Sequence, residues 1–135
     1  MTVDTEKYLE FVQEVTSLPS TDLAALLSRV TELDIQQDAD VPRLLTAALG
    51  LTAESGEFLE IVKKMIFQGK PWDEANREHL IIELGDVIWY AANACMALGI
   101  SFEDVVARNV TKLEKRYPGG QFDVYYSEHR EEGDL

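Results

Sequence analysis

The stretch Leu80-Ile81-Ile82-Glu83-Leu84-Gly85-Asp86-Val87-Ile88-Trp89-Tyr90-Ala91-Ala92-Asn93-Ala94, residues 80–94, decides the fold. Its apolar residues recur at helical spacing and continue to Leu98, and they cover almost the whole circumference of the helix they predict. A helix apolar nearly all round is expected to be central and buried. Asp73 is its expected N-cap and Gly99 its left-handed stop.

Working outward, Pro42 suits the first turn of a preceding long helix, where its missing N–H costs nothing. That helix carries Leu44, Leu45, Ala48, Leu51, Phe58, Ile61, Val62 and Met65 and stops at Gly69-Lys70-Pro71. Two amphipathic helices precede it, over Asp4 to Thr16 and from an N-cap at Ser20 or Thr21 to about Leu33. Ser101-Phe102-Glu103-Asp104 reads as a capping box with Asp in the last position, opening a fifth helix to about Arg116. No segment shows sustained strand alternation. The expected fold is an all-α bundle of about five helices over 1–120, with a metal site between the two long central helices. An acidic, aromatic tail over 121–135 follows, ordered by packing on another subunit and frayed at its end.

The composition fits one small domain able to bury a core: 135 residues, 46% hydrophobic and 27% charged. Its single cysteine, Cys95, excludes an intrachain disulfide and a cysteine zinc site, and an intracellular setting is expected. With no run of about 18 apolar residues and no basic, apolar leader, membrane insertion and export are not expected. Twelve Lys and Arg against 25 Asp and Glu give a net charge of −13, which repels a nucleic-acid backbone. A chain so acidic handles phosphates only with divalent cations.

Two segments on the long helices read alike: Glu54-Ser55-Gly56-Glu57 and Glu83-Leu84-Gly85-Asp86. Acids three apart share a helix face and repel, so either a cation sits between them or they point to water. A lone pair of this kind is usually a solvated face. Two such pairs in strongly apolar helices, each with an internal glycine that costs ~1 kcal/mol of helix propensity, favour a metal site with close backbone approach at Gly56 and Gly85. Four oxygen donors suit Mg²⁺ or Mn²⁺. A ferritin-type iron centre needs Glu-x-x-His pairs. Neither His79 nor His129 completes one.

The two motifs, separated by residues 58–82, resemble the signature of the MazG-like branch of the all-α nucleoside triphosphate pyrophosphohydrolases. The blocks Leu49 to Phe58, Glu83 to Tyr90 and Asn109-Val110-Thr111-Lys112-Leu113-Glu114-Lys115-Arg116-Tyr117-Pro118-Gly119-Gly120 extend the resemblance over 42–120, leaving 1–41 as a variable extension. It implies Mg²⁺-dependent hydrolysis of a nucleoside triphosphate to a monophosphate and pyrophosphate, by a dimer or tetramer. Glu54, Glu57, Glu83 and Asp86 become the metal ligands, and Glu54 or Glu57 the acceptor of the attacking water's proton. The small phage-type members are the most similar in form, which points to a cytoplasmic enzyme, in the host cytoplasm for a phage-encoded chain.

Other residues carry two readings each. Asn93 follows the stripe of Glu83, Asp86 and Tyr90 and either satisfies a core hydrogen bond or, as in similar family members, contacts sugar or base. Asn109, Lys112 and Arg116 are read as triphosphate contacts, against surface charges near a helix C-terminus. Lys63 or Lys64 points at the phosphates or lies along the surface. Trp72 stacks on a base or packs, Glu60 is an outer ligand or a solvated acid, and Tyr125 and Tyr126 are undecided. Purine deoxynucleotides, dGTP first, are the expected substrates, with a dUTPase-like or phosphoribosyl-ATP activity as alternatives. The non-enzymatic alternative is an acidic helical interaction module.

Overall fold

The computed structural model describes residues 4–129. Among the described residues six α-helices follow one another: α1 Thr5–Val15, α2 Leu23–Thr31, α3 Val41–Phe67, α4 Glu74–Ala97, α5 Phe102–Arg116 and α6 Val124–Glu128. There is no strand among the described residues, and the all-α expectation holds. The chain divides into two compact units, 1–41 and 42–135.

In the first unit, Asp4 caps α1 by accepting a hydrogen bond from the Lys7 N–H at 3.2 Å. The cap of α2 is Asp22, which accepts from Ala25 at 2.7 Å, and not Ser20 or Thr21 as expected. Leu18–Ser20 forms a 3₁₀ turn of its own, with Pro19 inside it, and so delays the helix. α2 then widens into a π-helical turn, Glu32–Gln36. Asp38, at φ 55°, redirects the chain after it.

In the second unit, α3 stops where Gly69 takes a left-handed φ of 72° and the Lys70 N–H returns to the Lys64 carbonyl at 3.2 Å. Asp73 caps α4 as expected, accepting from the Asn76 N–H at 2.8 Å. The Asn76 side chain, 9% exposed, donates to the Pro71 carbonyl at 2.8 Å and ties the turn to the helix. Gly99, at φ 63°, ends α4. Ser101 and Asp104 make the expected reciprocal capping box of α5. In the tail Asp123 caps a short helix, α6, with its carboxylate on the Tyr125 N–H at 2.7 Å. The frayed end expected at 130–135 lies outside the described residues.

α3 and α4 run antiparallel along a single seam. Arg43 meets Asn93, Gly50 faces Tyr90, and Glu54 and Glu57 face Glu83. On α4 the stripe is His79, Glu83, Asp86, Tyr90 and Asn93, at alternating steps of four and three residues; on α3 it is Arg43, Ala47, Gly50, Glu54, Glu57, Ile61 and Lys64. Close approach falls at Gly50, where a Cβ would stand 2.1 Å from the Tyr90 ring. The glycines expected to provide it do not: a Cβ at Gly56 or Gly85 would have nothing within 4 Å.

The expected self-sufficient core is also corrected. Only Ala47, Ile61 and Cys95 are buried apolar residues among those described. Ile81, Ile82, Leu84, Ile88 and Trp89 of α4 are all exposed, so this helix is not buried within its own chain. By length and composition alone α4 could also cross a membrane; its central Glu83 and Asp86, turned to the acids of α3, give the same apolar composition a different use.

Candidate functional site

The seam brings carboxylates together at its centre. One oxygen each from Glu54, Glu57 and Glu83 lies within 4.8 Å of the others. Glu83 is buried, Glu54 half-buried and Glu57 exposed, so the cluster opens to solvent on the Glu57 side. Asp86 stands outside this trio yet close enough for its charge to act on Glu54. Partial burial, then the charges of Glu57, Asp86 and Glu83, raise the Glu54 carboxyl above its ordinary value of 4.5, and a hydrogen bond with Glu83 adds to the rise.

Such a site is under electrostatic tension that a cation relieves. Its donors are all carboxylate oxygens on two neighbouring helices, which fits a hard divalent ion such as Mg²⁺ or Mn²⁺. The residues present therefore fit the metal that the sequence implied, and three of the four expected ligands come together.

His79 was excluded as an iron ligand by its spacing and otherwise passed over. Its Nε2 lies 2.9 Å from Glu83 Oε1, one turn away on α4. The i, i+4 spacing of 79 and 83 was the signal. His79 also lines a groove of about 380 Å³ beside the carboxylates, together with Gly56, Glu57, Glu60, Lys64 and Lys70. Of the two candidate lysines, Lys64 lines this groove; Lys63 pairs with Glu60. Lys64 also pairs with Glu60, at 3.3 Å. Hydrogen bonds from Lys63 and Lys64 hold the Glu60 carboxyl below its ordinary value.

Asn93 sits at the other end of the seam with both amide functions engaged. Its Oδ1 accepts from Arg43 Nη1 at 3.1 Å and its Nδ2 donates to the Trp89 carbonyl at 3.1 Å. Arg43 was not singled out, although a cation in the first turn of a helix opposes the helix dipole and calls for a partner. Trp72 is exposed on the turn before α4. Asn109, Lys112 and Arg116 lie on α5, the first two exposed and Arg116 half-buried. None of the three walls the groove beside Glu57.

A 74-residue stretch, 53% of the chain, is 39% identical to the Gene 37 protein of Mycobacterium phage L5 and covers 64% of that protein. No solved structure matches the chain. Residues 43–120 match the MazG nucleotide pyrophosphohydrolase domain, a span that holds the whole seam, both acid motifs and α5. The chain belongs to the MazG nucleotide pyrophosphohydrolase family.

Proposed function

We propose that this chain hydrolyses nucleoside triphosphates between the α and β phosphates, releasing a monophosphate and pyrophosphate, with Mg²⁺ held by Glu54, Glu57, Glu83 and Asp86. The observation that carries the reading is the meeting of Glu54, Glu57 and Glu83 within 4.8 Å, inside the segment that matches the family. Bound there, the cation supplies the positive charge that an acidic chain lacks and acidifies a water. Mn²⁺ substitutes for it.

The chain's own residues do the rest. His79 fixes the orientation of buried Glu83, and the Gly50–Tyr90 contact fixes the register that sets Glu83 against Glu54 and Glu57. The water's proton goes to a glutamate of the first motif, Glu54 or Glu57. The water oxygen bonds to one phosphorus of the Pα–O–Pβ anhydride as that phosphorus's bond to the bridging oxygen breaks; the bridging oxygen leaves on the other product, and the proton held by the glutamate passes to it or to solvent, so positioning and charge neutralisation are what the site contributes. Lys112, Arg116 and Asn109 of α5 meet the triphosphate, Asn93 the sugar or base, and Trp72 a base. The substrate we favour is a purine deoxynucleotide, dGTP first, in the cytoplasm.

The working unit is a homo-oligomer, a dimer or tetramer. What supports it is exposure: Ile82 is 53%, Leu84 50%, Ile88 51% and Trp89 57% exposed on one helix, far more apolar surface than a lone small domain tolerates.

The test is pyrophosphate release from a panel of deoxy- and ribonucleoside triphosphates, with and without Mg²⁺, beside Glu57→Ala. Release with the wild-type chain and metal, absent in the variant, is expected. No turnover on any triphosphate overturns the reading, and a uniquely high rate on dUTP overturns the purine preference.

A further inference from the structure

The groove beside Glu57 does not belong to the carboxylate cluster in its chemistry. Two of its lining residues are cationic, Lys64 and Lys70, and His79 stands beside them. In a chain of net charge −13, such a concentration of basic side chains next to an acidic centre needs a reason. Local structure supplies part of one. The left-handed Gly69 turns the chain back so that Lys70 stands over the last turn of α3, near Lys64. Asn76, bonded to the Pro71 carbonyl, fixes that turn against α4, which carries His79. The acid at the groove floor, Glu60, is already matched by Lys63 and Lys64. Lys70 also lines this space of about 380 Å³, with Gly56 as a wall that carries no side chain.

The order of groups along α4 gives the groove a direction. At ~1.5 Å per residue, His79 lies about 6 Å before Glu83 along the helix axis and Asn93 about 15 Å beyond it. The seam therefore runs from a cationic groove, through the carboxylates, to the Arg43–Asn93 amide pair. A nucleoside triphosphate has the same sequence of chemistries: a highly charged phosphate tail, the scissile anhydride, and a neutral sugar and base rich in hydrogen-bonding groups.

We propose that the groove lined by Gly56, Glu57, Lys64, Lys70 and His79 is the seat of the β and γ phosphates, and so of the pyrophosphate product, which fixes the substrate's direction along the α3–α4 seam. This rests on the reading of the chain as a triphosphate pyrophosphohydrolase. Lys64 and Lys70 donate charge-assisted hydrogen bonds to the terminal phosphate oxygens. The nucleoside end points toward Arg43 and Asn93.

The probe is Mg²⁺-pyrophosphate, titrated calorimetrically into the full chain, with deoxynucleoside monophosphate as a second titrant. Lys70→Gln and Lys64→Gln are each expected to weaken pyrophosphate binding about tenfold, while monophosphate affinity stays within about twofold. Lys70→Arg retains pyrophosphate affinity and shows that the turn tolerates substitution. Pyrophosphate affinity unchanged in both lysine variants overturns the assignment. Pyrophosphate binding that depends on Lys70, in a chain that hydrolyses no triphosphate, supports the groove while the proposed reaction fails. Hydrolysis with pyrophosphate affinity indifferent to Lys70 and Lys64 overturns the groove and leaves the reaction standing.

Discussion

Tyr90 lies across Gly50 so closely that a Cβ at position 50 would stand 2.1 Å from the ring's Cδ1 and Cε1. This contact sets both the separation and the register of α3 and α4, and one turn further along the seam Glu54 comes within reach of the charges of Asp86 and Glu83. Gly50→Ala is expected to destabilise the chain by about 1–3 kcal/mol through overpacking, less the ~1 kcal/mol that alanine gains in helix propensity. The double variant Gly50→Ala/Tyr90→Leu recovers part of the loss. A double-mutant cycle on thermal unfolding measures the coupling, and additive effects would show that the ring does not set the spacing.

The turn that carries Lys70 depends on Asn76. Its buried amide donates to the Pro71 carbonyl, and its N–H is capped by Asp73. Asn76→Ala leaves that carbonyl without its partner and is expected to cost about 1–2 kcal/mol. Asp73→Ala, which removes only the cap, costs about 1 kcal/mol. Chemical denaturation of the two variants checks the values, and an Asn76→Ala protein as stable as wild type would sink the account of the turn.

Exposure along α4 predicts that folding and assembly are linked. If Leu84, Ile88 and Trp89 are covered by another copy, the melting temperature rises with protein concentration. Ile88→Glu is expected to shift the species seen by analytical ultracentrifugation toward monomer and lower the melting temperature. A wild-type chain that sediments as monomer at all concentrations, with an unvarying melting temperature, contradicts this.

The parts of the site that were legible in the sequence share one property: they are decided by the spacing of residues on a single helix. Glu54 with Glu57, Glu83 with Asp86, the Asp73 cap and the Ser101–Asp104 box all follow from i, i+3 geometry, which one segment fixes by itself. What was misread depends on where a second segment lies. Gly56 and Gly85 stood beside the acids and so attracted the role of close approach, which belongs to Gly50 because only there does an aromatic ring of the other helix arrive. Arg43 found its partner fifty residues away at Asn93. The burial expected of α4 failed for a related reason, since apolarity says that a surface is to be covered and not by which chain.

Glu54 gives the site a pH signature. Its carboxyl is raised by partial burial and by the charges of Glu57, Asp86 and Glu83. A raised carboxyl favours the protonated folded form, so its contribution to stability is complete below the ordinary value of 4.5 and is lost as pH rises through the elevated folded value. Glu54→Gln keeps the shape and removes the charge. In metal-free protein it is therefore expected to melt above wild type at pH 7 to 8, with the difference closing as pH falls toward 4.5. Adding Mg²⁺ supplies the missing counter-charge: it should raise the wild-type melting temperature at pH 7 to 8 and raise that of Glu54→Gln by less. Thermal scans across pH, with and without the metal, read all four corners. Equal melting temperatures for the two proteins at pH 7 to 8 without metal would mean that the carboxylates do not repel one another at the seam, and the cluster would lose its case as a cation site.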